Sequence, residues 1–172
     1  MVRDKLKFMI KSSWTCQTCG KDKSNSAPSY ILQLECFTAT ISDLLAGFCK
    51  TQEVKDFTCA SCQTKGVATK KDQISKTSKY VVIELKRYLF QRGNIKKNTK
   101  IKDPLSALIL SEDQYHLQSV IIHTGQDGAG HYVTIKKEQL KWLMFDDTDV
   151  SEIEMSKAAA LAQFGYMFVF CK

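Results

Sequence analysis

The sequence predicts an α+β fold of mainly antiparallel strands, with a cysteine-rich β extension over residues 1–78 and a sheet-based region over residues 79–172. Three observations lead there. Two Cys-x-x-Cys pairs, Cys16/Cys19 and Cys59/Cys62, fall in the first part. A near-continuous apolar run from Tyr80 to Tyr88 opens the second. From Val120 to Asp147, β-branched and aromatic segments follow one another, the first two joined by a Gly/Asp/Ala-rich turn at Gly125 to Gly130.

The chain has 172 residues, 44% hydrophobic and 10% aromatic, which is enough to bury a core and unlike a disordered segment. No apolar run reaches the length of a membrane span, and no N-terminal stretch resembles a signal peptide. The expectation is a soluble intracellular protein, cytoplasmic or nuclear, with no membrane partner. The formal charge is +7, with lysines clustered at Lys65 to Lys79 and Lys96 to Lys102. Such runs are usually solvated faces, and a basic zinc-ribbon module binding nucleic acid is the minor reading. The aromatic interleaving of a single-strand binder is missing.

Seven cysteines is an odd count, and four of them form the two pairs, which favours a metal and a reducing compartment over a disulfide scaffold. Thiolates three positions apart in a tight turn can reach one tetrahedral ion. Cys16, Cys19, Cys59 and Cys62 would complete a closed four-thiolate shell, so the expected cofactor is a structural zinc. Gly20 supplies backbone freedom after the first pair. Residues 20–58, between the pairs, must carry structure of their own. Lys5 to Ile10 reads as a strand entering the first knuckle, and Tyr30 to Cys36 as a second strand. Thr40 to Phe48 reads as a short helix capped by Ser42 or Thr40, and Val54 to Thr58 and Gly66 to Ile74 as strands flanking the second knuckle.

In the second region, the apolar content of Tyr80 to Tyr88 predicts a strand buried on both faces. Gln91 to Asp103 reads as a surface loop and Leu105 to Leu110 as a strand. Tyr115 to Ile122 leads into the next pair of strands, and Ser151 to Gln163 reads as a helix or helical turn before a last strand. His131 falls at the start of the strand after the Gly125 to Gly130 turn, and Asp146 at the end of a strand around Trp142 to Phe145. In such a meander the two can lie side by side, the carboxylate fixing the tautomer of an imidazole that serves a nucleophile. The bland alternative is a hairpin whose histidine caps a turn and whose acidic pair is solvated.

Thr124-Gly125, the small-residue turn, Gly130-His131-Tyr132, Trp142 to Asp147 and Val150-Ser151-Glu152 together resemble the histidine box of the ubiquitin-specific proteases, which are papain-like cysteine deubiquitinases. Gly165 to Phe170 resembles that family's closing strand, and Leu85-Lys86-Arg87-Tyr88 its strand after the fingers, with Ser78 near where the family usually has Pro. The order of knuckles, strands and short helix resembles the family's zinc-tipped fingers. The resemblance implies His131 as general base, Asp146 as the residue orienting it, and Asp147 as an assisting neighbour. It also implies Gly130 and Tyr132 beside the substrate tail, and ubiquitin or a ubiquitin-conjugated protein as partner. Nothing matches the family's N-terminal Asn-x-Gly-Asn-Thr-Cys-Tyr motif, so the resemblance implies a fingers-and-palm half without the helical thumb, which a separate thumb half could complete. Cys36, Cys49 and Cys171 read as buried or incidental thiols rather than substitutes. The chain is expected to be inactive alone. The alternative is a catalytically inactive ubiquitin- or protein-binding module.

Overall fold

The computed structural model describes residues 2–89, 95–96, 98–126 and 129–172. Helix α1 (Val2–Leu6) precedes strands β1 (Phe8–Cys16), β2 (Asp22–Ser29) and β3 (Leu32–Glu35). Helix α2 (Ile41–Phe48) is followed by β4 (Gln52–Thr58), β5 (Lys65–Lys76), β6 (Tyr80–Lys86), and the short β7 (Tyr88–Leu89) and β8 (Ile95–Lys96). Then come β9 (Leu108–Leu110), β10 (Asp113–Gln126), β11 (Ala129–Glu138), β12 (Lys141–Asp146) and β13 (Asp149–Ile153), and finally α3 (Met155–Ala162) and β14 (Gly165–Cys171).

Two main sheets result. The smaller has the order β2-β1-β5-β4; the larger runs β13-β12-β11-β10-β14-β6-β3, with β9 paired to β10. Their pairings are antiparallel except that of β3 with β6. The expected α+β architecture of mainly antiparallel strands is therefore what the chain forms. The chain leaves the small sheet after β2, lays β3 into the large one, and returns with β4.

Local chemistry explains the elements. In β3, Leu32 and Leu34 are buried while Gln33 and Glu35 are exposed, a strict alternation on a one-sided strand. Helix α2 starts at a capping box: the Thr40 hydroxyl accepts from the Asp43 backbone, and the Asp43 carboxylate accepts from the Thr40 N–H. Thr40 is thus the cap, and Ser42 lies inside the helix. Ile41, Leu44 and Leu45 form its buried stripe. Helix α3 presents Ala158 and Ala162, four apart and fully buried, so it can approach β10 and β12 closely. The core between helices and sheet contains Leu34, Ile83, Leu85, Tyr115, Val120, Ile135, Phe168 and Phe170.

Several expectations need correction. The strand expected over Lys5 to Ile10 begins only at Phe8, because α1 occupies Val2–Leu6. Strand β2 has no apolar alternation and is almost wholly exposed; it forms as an edge on the β1 ladder, where Pro28 is tolerated opposite Met9. Strand β6 is buried on both faces only over Val81 to Ile83, since Glu84 is half-buried and Lys86 exposed. Residues 91–94 and 97 of the expected Gln91 to Asp103 loop lie outside the described residues, as do 127–128 of the Gly125 to Gly130 turn. Within the rest of that loop, Ile95–Lys96 pairs with Tyr88–Leu89, and Ile101 is buried with its N–H on Gln163 O at 2.9 Å. Strand β9 is confined to Leu108–Leu110. Ser151 to Ile153 belong to β13, and the helix begins at Met155, because this acidic stretch pairs with β12.

A Cβ on Gly165 would lie 2.5 Å from both Phe168 Cζ and Val120 Cγ1. Gly165→Ala should therefore cost about 1–3 kcal/mol by overpacking. Gly47, inside α2, has open space around its Cβ position. Gly47→Ala should stabilise by about 0.5–1 kcal/mol through the unfolded chain. Urea denaturation of both variants checks the pair of opposite signs.

Candidate catalytic pair and metal centre

Strand pairing brings the histidine and its acid together. β10 and β11 pair so that Thr124 faces His131 and His123 faces Tyr132. β11 and β12 pair up to Thr134 opposite Phe145, so Asp146, the next residue, falls beside the His131 end of β11. There His131 Nε2–H donates to Asp146 Oδ1. A carboxylate only accepts, so the proton sits on Nε2 and the Nδ1 lone pair is left for other chemistry. The two side chains are 45% and 43% exposed, open enough for a substrate to reach. Asp147 opens the turn into β13 in the left-handed region at φ 52°, a conformation that Asp tolerates. Its carboxylate lies within 4.8 Å of the His131 and Asp146 donor atoms.

The hydrogen bond to Asp146, followed by the charges of Asp146 and Asp147, holds the His131 pKa above the ordinary histidine value, against an opposing desolvation effect. A raised pKa favours the protonated form in the folded state. Any stability it contributes is present below the ordinary histidine range and is lost as pH rises through the folded value.

Tyr132 is 52% exposed, its ring 6.4 Å from that of Tyr166, whose hydroxyl donates to Glu84 at 2.9 Å. At Gly130 the space for a Cβ is taken: it would lie 1.7 Å from Nε2 of buried His123. His123 is the residue that sequence reasoning passed over. Its signal was its place opposite Tyr132 once the turn is drawn as a hairpin. Of the remaining thiols, Cys36 is buried beyond β3, Cys49 caps the C-terminus of α2, and Cys171 pairs with Tyr80 and His116 at the far end of β14 from Gly165.

The sulfurs of Cys16, Cys19, Cys59 and Cys62 lie within 4.8 Å of one another. Cys16 Sγ and Cys62 Sγ are 4.0 Å apart, and Cys19 Sγ and Cys59 Sγ 3.8 Å. Zn–S bonds of about 2.3 Å in a tetrahedron require sulfur–sulfur edges of roughly 3.8 Å. The two knuckles share one geometry. Gly20 N–H donates to Cys16 O and Gln63 N–H to Cys59 O, while Cys16 N–H donates to Lys21 O and Cys59 N–H to Thr64 O. Gly20 at φ 68° and Gln63 at φ 55° both sit in the left-handed region directly after the second cysteine. Thr64, by its hydroxyl and its backbone, brings the Cys62 thiol down to about 6. Cys19 receives a lowering backbone bond from Lys21, yet desolvation and the three adjacent sulfurs push it up to about 11. Four thiolates this close cannot all ionise without a cation among them, so the set could hold a metal ion.

Over residues 1–170 the sequence matches the family model described as ubiquitin carboxyl-terminal hydrolase. The chain belongs to that family. It is 29% identical over 157 residues to a probable ubiquitin carboxyl-terminal hydrolase 8 of Schizosaccharomyces pombe, covering 86% of this chain and 34% of that protein. It is 30% identical over 174 residues to ubiquitin carboxyl-terminal hydrolase Usp2 of Drosophila melanogaster, covering 88% of this chain and 18% of that one. Its fold superposes on a SAGA DUB module bound to monoubiquitin with TM-score 0.84 at 25% identity, over 98% of this chain and 41% of that one. The chain thus spans about a third of the first of these hydrolases and less of the second. Among the described residues, no helix is long and apolar enough to cross a membrane.

Titration of the His131 imidazole by NMR should give a midpoint above that of an ordinary histidine. Asp146→Asn should bring it down, and Asp147→Asn should do so by less, since Asp147 acts only through space.

Proposed function

We propose that this chain is the fingers-and-palm part of a deubiquitinating thiol hydrolase, supplying the general base and its orienting acid to a nucleophile carried elsewhere. The observation that carries the reading is the His131–Asp146 hydrogen bond in a chain matched over nearly its whole length to the hydrolase family. In this reading a cysteine thiolate attacks the carbonyl carbon at the C-terminal glycine of ubiquitin. The bond to the leaving lysine nitrogen breaks, and protonated His131 gives its Nδ1 proton to that amine. In the second half-reaction Nδ1 accepts a proton from water as the thioester is hydrolysed. Asp146 keeps the ring in register and stabilises the imidazolium, and Asp147 adds negative potential. Gly130 and Tyr132 border the path of the substrate tail.

The small sheet would be the fingers and the large one the palm, refining a division at residue 78 by the β3–α2 excursion into the palm. Cys16, Cys19, Cys59 and Cys62 would hold one structural zinc at the tip of the fingers, all four positions filled by protein and none left for chemistry. In support, the sulfur spacings fit a tetrahedral shell. Ubiquitin is the proposed partner, on the strength of the similar fold of a module solved with monoubiquitin.

Hydrolysis of a ubiquitin C-terminal fluorogenic amide tests the function. The chain alone should be inactive. Mixed with a family half carrying the nucleophile motif it should turn over, and His131→Ala should remove on the order of 10²–10⁴-fold of that rate. Binding of ubiquitin without turnover in any mixture would instead favour an inactive binding module. Metal analysis should find one zinc per chain, absent in Cys59→Ser, with protons released on binding.

A further inference from the structure

Strand β11 carries His131 beyond the support of its own sheet. The β12 ladder reaches only Thr134, and on the other side the β14 ladder reaches only Ile122 of β10. Past those points, residues 123–126 and 129–132 continue as a two-stranded ribbon. A two-stranded ribbon twists freely and is marginal by itself. Something other than the ladders must hold the base in place.

We propose that His123 is a positioning residue for His131, its buried imidazole seating both chain neighbours of the base, Gly130 and Tyr132. The inference rests on reading His131 as the base. His123 is 8% exposed and lies opposite Tyr132, the ring centroids 4.7 Å apart with planes tilted by 58°. The ring also lies flush on Gly130: a Cβ there would be 1.7 Å from Nε2, 2.3 Å from Cε1 and 2.8 Å from Cδ2. Strand alternation turns His131 to the opposite face of the ribbon, where His123 cannot touch it. Its effect must pass through the backbone. On that opposite face the next residue, Thr124, donates its hydroxyl to His131 O at 3.1 Å. Two consecutive residues of β10 therefore hold the base from both faces. The glycine before the histidine is explained by the ring that fills its side-chain space.

The test is NMR titration of His131 in the full zinc-loaded chain, with the amides of the fingers as a control for folding. His123→Ala should move the His131 midpoint toward the ordinary histidine value and shrink the effect of Asp146→Asn, because the ring no longer holds its register with the carboxylate. Gly130→Ala in the wild-type background should do the same by forcing His123 aside. In His123→Ala the same Gly130→Ala change should be tolerated, the new methyl entering the vacated space. Should His123→Ala fail to fold, Gly130→Ala alone still reads the seat. An unchanged His131 midpoint in either single variant, or a Gly130→Ala effect as large without His123 as with it, overturns the proposal. If Asp146→Asn itself leaves the wild-type midpoint unmoved, the reading of the pair has failed instead.

Discussion

The guanidinium of Arg87 is the contact on which the arrangement of the large sheet depends. It is 2% exposed and donates from Nε to Gly165 O at 2.8 Å, from Nη1 to Thr99 O at 2.7 Å and from Nη2 to Gln163 O at 3.1 Å. These carbonyls belong to two separate pieces of chain: the segment before buried Ile101, and the link from the C-cap of α3 at Gln163 to the start of β14 at Gly165. A buried charge is tolerated only when its donors are satisfied, and hydrogen bonds to charged groups contribute more than neutral ones. The carbonyl end of a helix is also a favourable place for a cation. Arg87 thus fixes where β14 begins, and Gly165 at that point pairs with Ile122 just before the ribbon leaves the sheet.

From that anchor the geometry of the site follows by short steps. β14 positions β10, β10 positions β11, and the first residues of β11 lie beside Asp146 at the end of β12 and Asp147 in the turn after it. The first two steps are hydrogen-bonded ladders, stiff where both neighbours are present. The last step is not a ladder but a set of side-chain contacts around His131. His131 therefore stands where the sheet is least constrained by its own backbone, open to solvent. The cysteine cluster is organised differently. It needs no sheet beyond β1, β4 and β5, because two knuckles with matched turns bring four sulfurs together.

How much of this was legible in the sequence varies with the kind of signal. Leu32/Leu34 alternation, a hydroxyl cap at Thr40 or Ser42 and the apolar runs of β6, β10 and β14 are local patterns, and they placed those elements nearly where they lie. Strand β2 was illegible because nothing in Asp22 to Ser29 prefers a sheet; only the ladder offered by β1 makes it one. The turns at Ser111, Gln139 and Asp147 carry left-handed residues without glycine, so turn chemistry gave no warning of them. Strand β13 was hidden for a similar reason, its acidic residues forming a strand only because β12 lies beside them.

By itself the sequence determined the family, the grouping of four cysteines, and the pairing of a histidine with an acid across a hairpin. Spacing and residue type suffice for these because the cysteines come in close pairs and the hairpin is nearly contiguous. Tertiary structure alone decided the burial of Arg87 and the passage of β3 into the large sheet. Each depends on groups far apart in the chain. Their mutual placement is set by packing, which no local pattern of residues encodes.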